Sequence, residues 1–212
     1  MKVSLTVPAS YIAVLKLFTS KTGMLFCNGI CLEIGRKEAR ILATDGAALG
    51  CFRLATDQPQ LGAPLTTIIP SDLFQSLKQT KGQVEIIIED VEPGGVGSET
   101  SYPVTIIYAP MCASISGKTM DIRFPDYRRV IPAEVSGEPA QFDPYYMTVL
   151  AKAGSILHGT KNTPRVSIGH NGENAALIDL GVDDFVGAIM PLRGMEPPKT
   201  CPSWIQDSLQ GV

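Results

Sequence analysis

Residues 65–79 read LTTIIPSDLFQSLKQ, and the order of residue types in that stretch decides the fold. A short β-branched run ends at Pro70, Ser71 offers an N-cap oxygen, and Leu73, Phe74 and Leu77 return at helical spacing, with Gln75 and Lys78 on another side. The pattern is strand, proline, amphipathic helix. It occurs first near the N-terminus. There residues 2–7 alternate polar and apolar, Pro8 opens a helix, and Tyr11, Val14, Leu15 and Phe18 form its apolar stripe, with Lys16 and Ser20 on the other face.

Three strand-like runs bounded by turn residues follow each opening. They are LFCNGICLEIG, ARILATDG and LGCFRLAT after the first, and VEIIIED, VTIIYA and CASISG after the second, with PGGVGS a flexible loop. A third opening lies at Asp143-Pro144, where Tyr146, Val149, Leu150 and Ala153 make a buried stripe and Thr148, Lys152 and Ser155 face away. RVSIGHNGENAALIDL then reads as a hairpin turning at Asn171-Gly172, and DFVGAIMPLR as the last strand. Three copies of a module of about 60 residues thus account for most of the chain, the pattern of an assembly that stacks equivalent units.

Composition agrees with this order. Of 212 residues, 44% are hydrophobic and 18% charged, too apolar for a disordered chain. Sixteen prolines and twenty glycines cut the sequence into short pieces, which favours β-rich structure over a helical bundle. No run approaches the ~18 apolar residues of a membrane helix, and MKVSLTVP lacks a secretory apolar region. A soluble cytoplasmic protein is expected. The net charge of −3 argues against coating nucleic acid with a basic surface, while leaving room for a few lysines on one face.

The chemistry-bearing residues form no site. Cys27 and Cys31 lie four apart in an expected strand, but no second Cys pair or nearby His completes a zinc set, so both are expected in the core. His158 and His170, the two histidines, lie in no metalloprotease or nucleophile-elbow context. Ser116-Gly117-Lys118-Thr119 copies the end of a phosphate-binding loop. Cys112 stands where that loop needs glycine, and a proline follows where it needs a helix. No catalytic residue, metal or cofactor is expected.

Four segments nevertheless carry a specific resemblance. ATDGAALG (residues 43–50), IIPSDLFQSLK (68–78), RFPDYRRVIP (123–132) and FVGAIMPLR (185–193) are similar, in the same order, to motifs of the bacterial sliding clamp, the β subunit of DNA polymerase III. The run FPDYRRV is the most specific. The resemblance implies an α+β DNA-clamp fold built from repeated half-domains of one helix on antiparallel strands. It divides the chain into a complete clamp-like domain at 1–133, a half-domain at 134–195 and a tail at 196–212. The family's ring holds twelve half-domains, so three per chain would need four chains.

In the family, a hydrophobic pocket between the central and last domains receives short peptides from polymerases, the clamp loader and repair factors. The resemblance places it at Thr44, Gly46, Leu49, Pro125, Arg129, Val130, Ala188, Met190, Pro191, Leu192 and Arg193. Leu49, Val130, Met190, Pro191 and Leu192 would form apolar walls, and Arg129 and Arg193 would bond peptide carbonyls at the rim. Ala47 and Ala48 stand where the family usually has a polar and a basic residue, which should weaken the pocket's electrostatic part. Lys16, Lys78 and Lys152, on equivalent helix faces, would meet double-stranded DNA through phosphates without sequence preference. In the tail, Gln206 to Leu209 faintly echo the Gln-x-x-Leu pattern of clamp-binding peptides.

Two functions remain open at this point. One is a non-catalytic processivity factor for DNA replication that encircles DNA as a homo-oligomer and binds polymerase and loader peptides. The other is a clamp-like regulatory module that binds such peptides without encircling DNA.

Overall fold

The computed structural model describes residues 1–35, 37–54, 64–77, 80–91, 100–108, 113–160 and 165–194. The first unit runs β1 (Val3–Pro8), α1 (Ala9–Leu15), β2 (Gly29–Ile34), β3 (Ala39–Thr44) and β4 (Ala48–Arg53). The second holds β5 (Leu65–Pro70), β6 (Gln83–Ile88), β7 (Pro103–Tyr108) and β8 (Ala113–Lys118), and the third α2 (Pro144–His158), β9 (Ser167–Gly169), β10 (Ala176–Asp179) and β11 (Phe185–Ile189).

Pairing is antiparallel throughout, and the units exchange their first strands. β1 pairs with β6 to give a four-stranded sheet, β1-β6-β7-β8, while β5 pairs with β2. The third unit then adds edge to edge. β11 lies along β4, from Phe185 opposite Phe52 to Ile189 opposite Ala48, completing a seven-stranded sheet, β5-β2-β3-β4-β11-β10-β9. The two helices lie side by side. Ile12, Val14 and Leu15 of α1, Leu150 and Ala153 of α2, and the inner residues of both sheets share one apolar core.

Each helix starts where the sequence places it. Pro8 sets the entry to α1, which tightens into a 3-10 turn at Lys16–Phe18. At α2 the Asp143 carboxylate accepts the backbone N–H of Tyr145 at 2.8 Å, which satisfies an otherwise orphaned donor, and Pro144 needs no partner.

The middle opening differs from expectation. Ser71–Phe74 forms one 3-10 turn, closed by Gln75 N–H to Asp72 O at 3.2 Å and Leu77 N–H to Phe74 O at 3.2 Å, and the amphipathic spacing is not extended into an α-helix. Ser71 does not cap it, because its hydroxyl donates across to Asn28 Oδ1 at 2.8 Å. Cys27 also departs from expectation: it sits in a 3-10 turn at Leu25–Asn28, so only Cys31 belongs to the strand. The PGGVGS loop, Lys78 and the tail lie outside the described residues.

Candidate functional site

The site is built where β4 meets β11. Between β3 and β4 the chain reverses at residues 45–47, with Gly46 at φ +98°, a conformation that favours glycine. The Thr44 hydroxyl donates to Ala48 O at 2.8 Å and accepts from Gly46 N–H at 3.1 Å. One Asp45 carboxylate oxygen accepts from Ala47 and Ala48 N–H at 3.0 and 2.9 Å. The other accepts the Tyr146 hydroxyl of α2 at 2.8 Å, and Met190 N–H donates to Ala47 O at 2.8 Å. The turn is therefore fastened to α2 and to the end of β11 at once. Burial, then the hydrogen bond and charge of Asp45, push the Tyr146 hydroxyl above its ordinary pKa, so it stays a donor.

The facing wall is the connector after β8. Met120 bridges to Ile68 on β5, and the chain then crosses the outer face of the seven-stranded sheet. Phe124 and Tyr127 anchor it there, packed in a second apolar cluster with Cys31, Leu42, Leu49, Cys51 and Ile68. Phe26 meets Phe124 edge-on with ring centroids 5.8 Å apart.

Glu33 of β2 locks the anchor. It accepts the Tyr127 hydroxyl at 2.7 Å and Arg128 Nη2 at 2.6 Å, Arg40 approaches at 3.6 Å, and the Arg128 guanidinium lies 4.7 Å over the Tyr127 ring. Burial opposes ionisation of Glu33. The hydrogen bonds from Arg128 and Tyr127, with the charges of Arg128 and Arg40, outweigh it and hold the carboxyl below its usual range. Burial raises the Cys51 thiol to about 12 and Cys31 well above its usual value, so both remain protonated core residues.

Between turn and connector opens a cavity of ≈150 Å3. Thr44, Gly46, Leu49, Pro125, Val130, Ala188 and Met190 line it, seven of the residues named from the sequence. Ala47 and Ala48, read from the sequence as the departure at this pocket, line it as well, and Phe26, Phe124, Asp126 and Tyr127, which were not named, complete the lining. All but Phe26 lie inside the motifs already quoted, so the missing signal was which side of each motif faces inward. Phe26 had no such signal.

The other four named residues lie elsewhere. Pro191, Leu192 and Arg193 border a second cavity of ≈420 Å3 with Glu138, Gln141 and Glu173, where Leu192 N–H donates to Gln141 O at 2.8 Å. Arg129 lines neither cavity. It is 85% exposed and paired with Asp126 at 3.2 Å, because the 3-10 turn at Tyr127–Arg129 turns it outward.

The lysines divide as well. Lys16 does not present a free ammonium: its Nζ donates to Phe74 O at 2.9 Å and Leu77 O at 3.3 Å, tying the first unit to the second, and burial lowers its pKa. Lys152 is exposed on α2, and Lys78 lies outside the described residues. Among the described residues, no group of three or more His, Cys, Asp or Glu could hold a metal, and no helix is long and apolar enough to cross a membrane.

Two helices packed with antiparallel strands in two sheets make an α+β fold that matches that of the sliding clamps. Specifically, the chain is similar to the DNA polymerase III β subunit of Pseudomonas aeruginosa, with 17% identity and a TM-score of 0.59, covering 90% of this chain and 66% of that one. A P. aeruginosa DNA polymerase sliding clamp solved with ligand gives 16% identity, a TM-score of 0.60 and the same coverage. The β subunit of Borrelia burgdorferi, in complex with a natural product, gives 12% and 0.55, covering 89% of this chain and 62% of that one. The chain thus spans slightly less than two thirds of the length of these proteins. No family model and no curated protein matches the sequence.

Proposed function

We propose that this chain is a non-catalytic, clamp-type protein of DNA replication that holds short peptides of polymerase and clamp-loader proteins in the groove between the β3–β4 turn and the connector. The observation that carries this reading is the cavity itself: an apolar slot walled by Leu49, Phe124, Val130 and Met190, with its mouth at the junction of two units. Such a slot suits one or two apolar side chains of an extended peptide, and methionine adapts to varied ones.

In the fuller form of this reading, several copies encircle double-stranded DNA in the cytoplasm and meet its phosphates through residues such as Lys152. The engagement of Lys16 with carbonyl groups favours the second form, a module that binds peptides without encircling DNA.

Titrating a fluorescent Gln-x-x-Leu peptide tests the groove. Met190→Ala is expected to weaken binding about tenfold, the loss of one good apolar contact, and Arg129→Ala to change it little. Undetectable binding, or equal affinity in wild type and Met190→Ala, overturns the assignment. Retention on closed-circular but not linear DNA separates the two forms.

A further inference from the structure

β11 carries the chain past the groove. Ala188 and Met190 line the slot, Met190 N–H is tied to Ala47 O at 2.8 Å, and Leu192 N–H is tied to Gln141 O at 2.8 Å. Apolar surface continues along the same course: Val130 on the slot wall is 42% exposed, and Leu192, just past Met190, is 39% exposed. Gly194 follows at φ +73°, a conformation that lets the backbone turn back where other residues rarely do.

Residues 195–212, outside the described residues, start from this point and read MEPPKTCPSWIQDSLQGV. The first half holds Pro197, Pro198 and Pro202, a composition that suits a spacer better than a strand or helix. The second half, from Ser203, carries Trp204, Ile205 and Leu209, with Asp207 as its one charged side chain. Such side chains gain by leaving water for an apolar site. The slot walled by Leu49, Phe124, Val130 and Met190 is such a site. The larger cavity bordered by Pro191 to Arg193 is not, since Glu138 and Glu173 also border it and repel Asp207.

We propose that the chain's own C-terminal segment occupies the groove, with Leu209 in the slot and Gln206 at its rim, and that a partner peptide must displace it. This rests on the groove reading and deepens it by naming what regulates the site. Tethering favours the arrangement. Gly194 follows Met190 by four positions, so it lies within about 15 Å of the slot lining. The run from Gly194 to Leu209 has a root-mean-square span of about 20 Å, somewhat more with its prolines. Tether and distance therefore match, the condition under which a linked ligand reaches an effective concentration near ~1 mM. At that concentration an untethered affinity of only about 0.1 mM fills the groove in about nine molecules of ten and weakens an incoming peptide about tenfold. The occupant belongs to the same copy because a tail from a second copy reaches such a concentration only when the protein itself does.

Titrating the fluorescent Gln-x-x-Leu peptide against the full chain and against Gln206→Ala combined with Leu209→Ala tests the tail. The double variant is expected to bind the peptide about tenfold more tightly, by the same factor at low and high protein concentration. Trp204, the single tryptophan of the chain, supplies a second readout. Its emission is expected to shift when an unlabelled, tryptophan-free peptide saturates the wild type, and to stay still in the double variant. Equal affinity in the two proteins, or wild-type emission unmoved by bound peptide, overturns occupancy by the tail and leaves the groove reading standing. A gain in affinity that grows with protein concentration places the tail in a second copy and overturns the same-copy form. Peptide binding to neither protein overturns the tail and the groove together.

Discussion

The outer faces of the two sheets obey different rules. On the four-stranded sheet, Ser4, Ile87, Thr105 and Ser116 form one cross-strand row and Thr6, Glu85, Ile107 and Ser114 another, and every one of them is exposed or half-exposed. On the seven-stranded sheet the corresponding positions are Cys31, Leu42, Leu49 and Cys51, all buried. A strand that alternates has water on one side; a strand apolar on both sides has a cover. Here the cover is the connector carrying Phe124 and Tyr127, and the groove is the gap it leaves beside the β3–β4 turn. The difference teaches that the groove exists because one sheet face is roofed and the other is not.

Removing the roof's anchor should break the contrast most strongly. Phe124→Ala is expected to destabilise by about 3 kcal/mol, the usual cost of emptying a buried phenylalanine site, and to abolish peptide binding. Ile107→Ala, on the unroofed face, is expected to cost about 1 kcal/mol or less because its side chain is already half in water. Urea unfolding of both variants measures the gap; equal losses would show that the connector rests on the sheet without closing it.

Much of this division was legible in the residues. VSLTV alternates, whereas GICLEI and ARILAT do not, and the alternation maps onto the face left in water. The opening at Asp143-Pro144 was legible because cap and proline act locally. The middle helix was misjudged because Leu73, Phe74 and Leu77 satisfy helical spacing equally well from a 3-10 turn braced by Lys16, a long-range contact with no local signature. Phe26 was invisible for the same reason: its role depends on meeting Phe124, 98 positions away. Arg129 was misplaced because spacing does not tell which way a turn directs its side chains.

The sheet edges offer a second, smaller contrast. A methyl group added at Gly187 of β11 would lie 2.8 Å from the backbone oxygen of Leu49, at the seam with β4. At Gly117 of β8 it would lie 2.8 and 2.9 Å from the two ends of the Leu73 side chain. Backbone cannot yield, and a leucine beside an open edge can. Gly187→Ala is therefore expected to cost about 2 kcal/mol by overpacking and Gly117→Ala well under 1 kcal/mol, both read by denaturant midpoint. Equal costs would mean that the β8 edge is as tightly held as the β4–β11 seam.

The smallest effect sharpens the comparison through pH. Among the described residues no carboxylate of the unroofed face is paired with an arginine, whereas the Glu33 carboxyl is held below its ordinary value by Arg128, Tyr127 and Arg40 against the cost of burial. A depressed folded pKa means that the ionised form stabilises the fold. That contribution is complete above the unfolded value of about 4.3, declines as pH falls through the folded value, and vanishes below it. Glu33→Gln keeps the shape, loses the charge, and is expected to cost about 1–2 kcal/mol at pH 7, the range for a charge-assisted hydrogen bond. The difference between wild type and variant should then shrink as the solution is acidified below pH 4. A constant difference across that range would assign the role of Glu33 to packing, leaving Phe124 and Tyr127 to hold the roof by apolar contact alone.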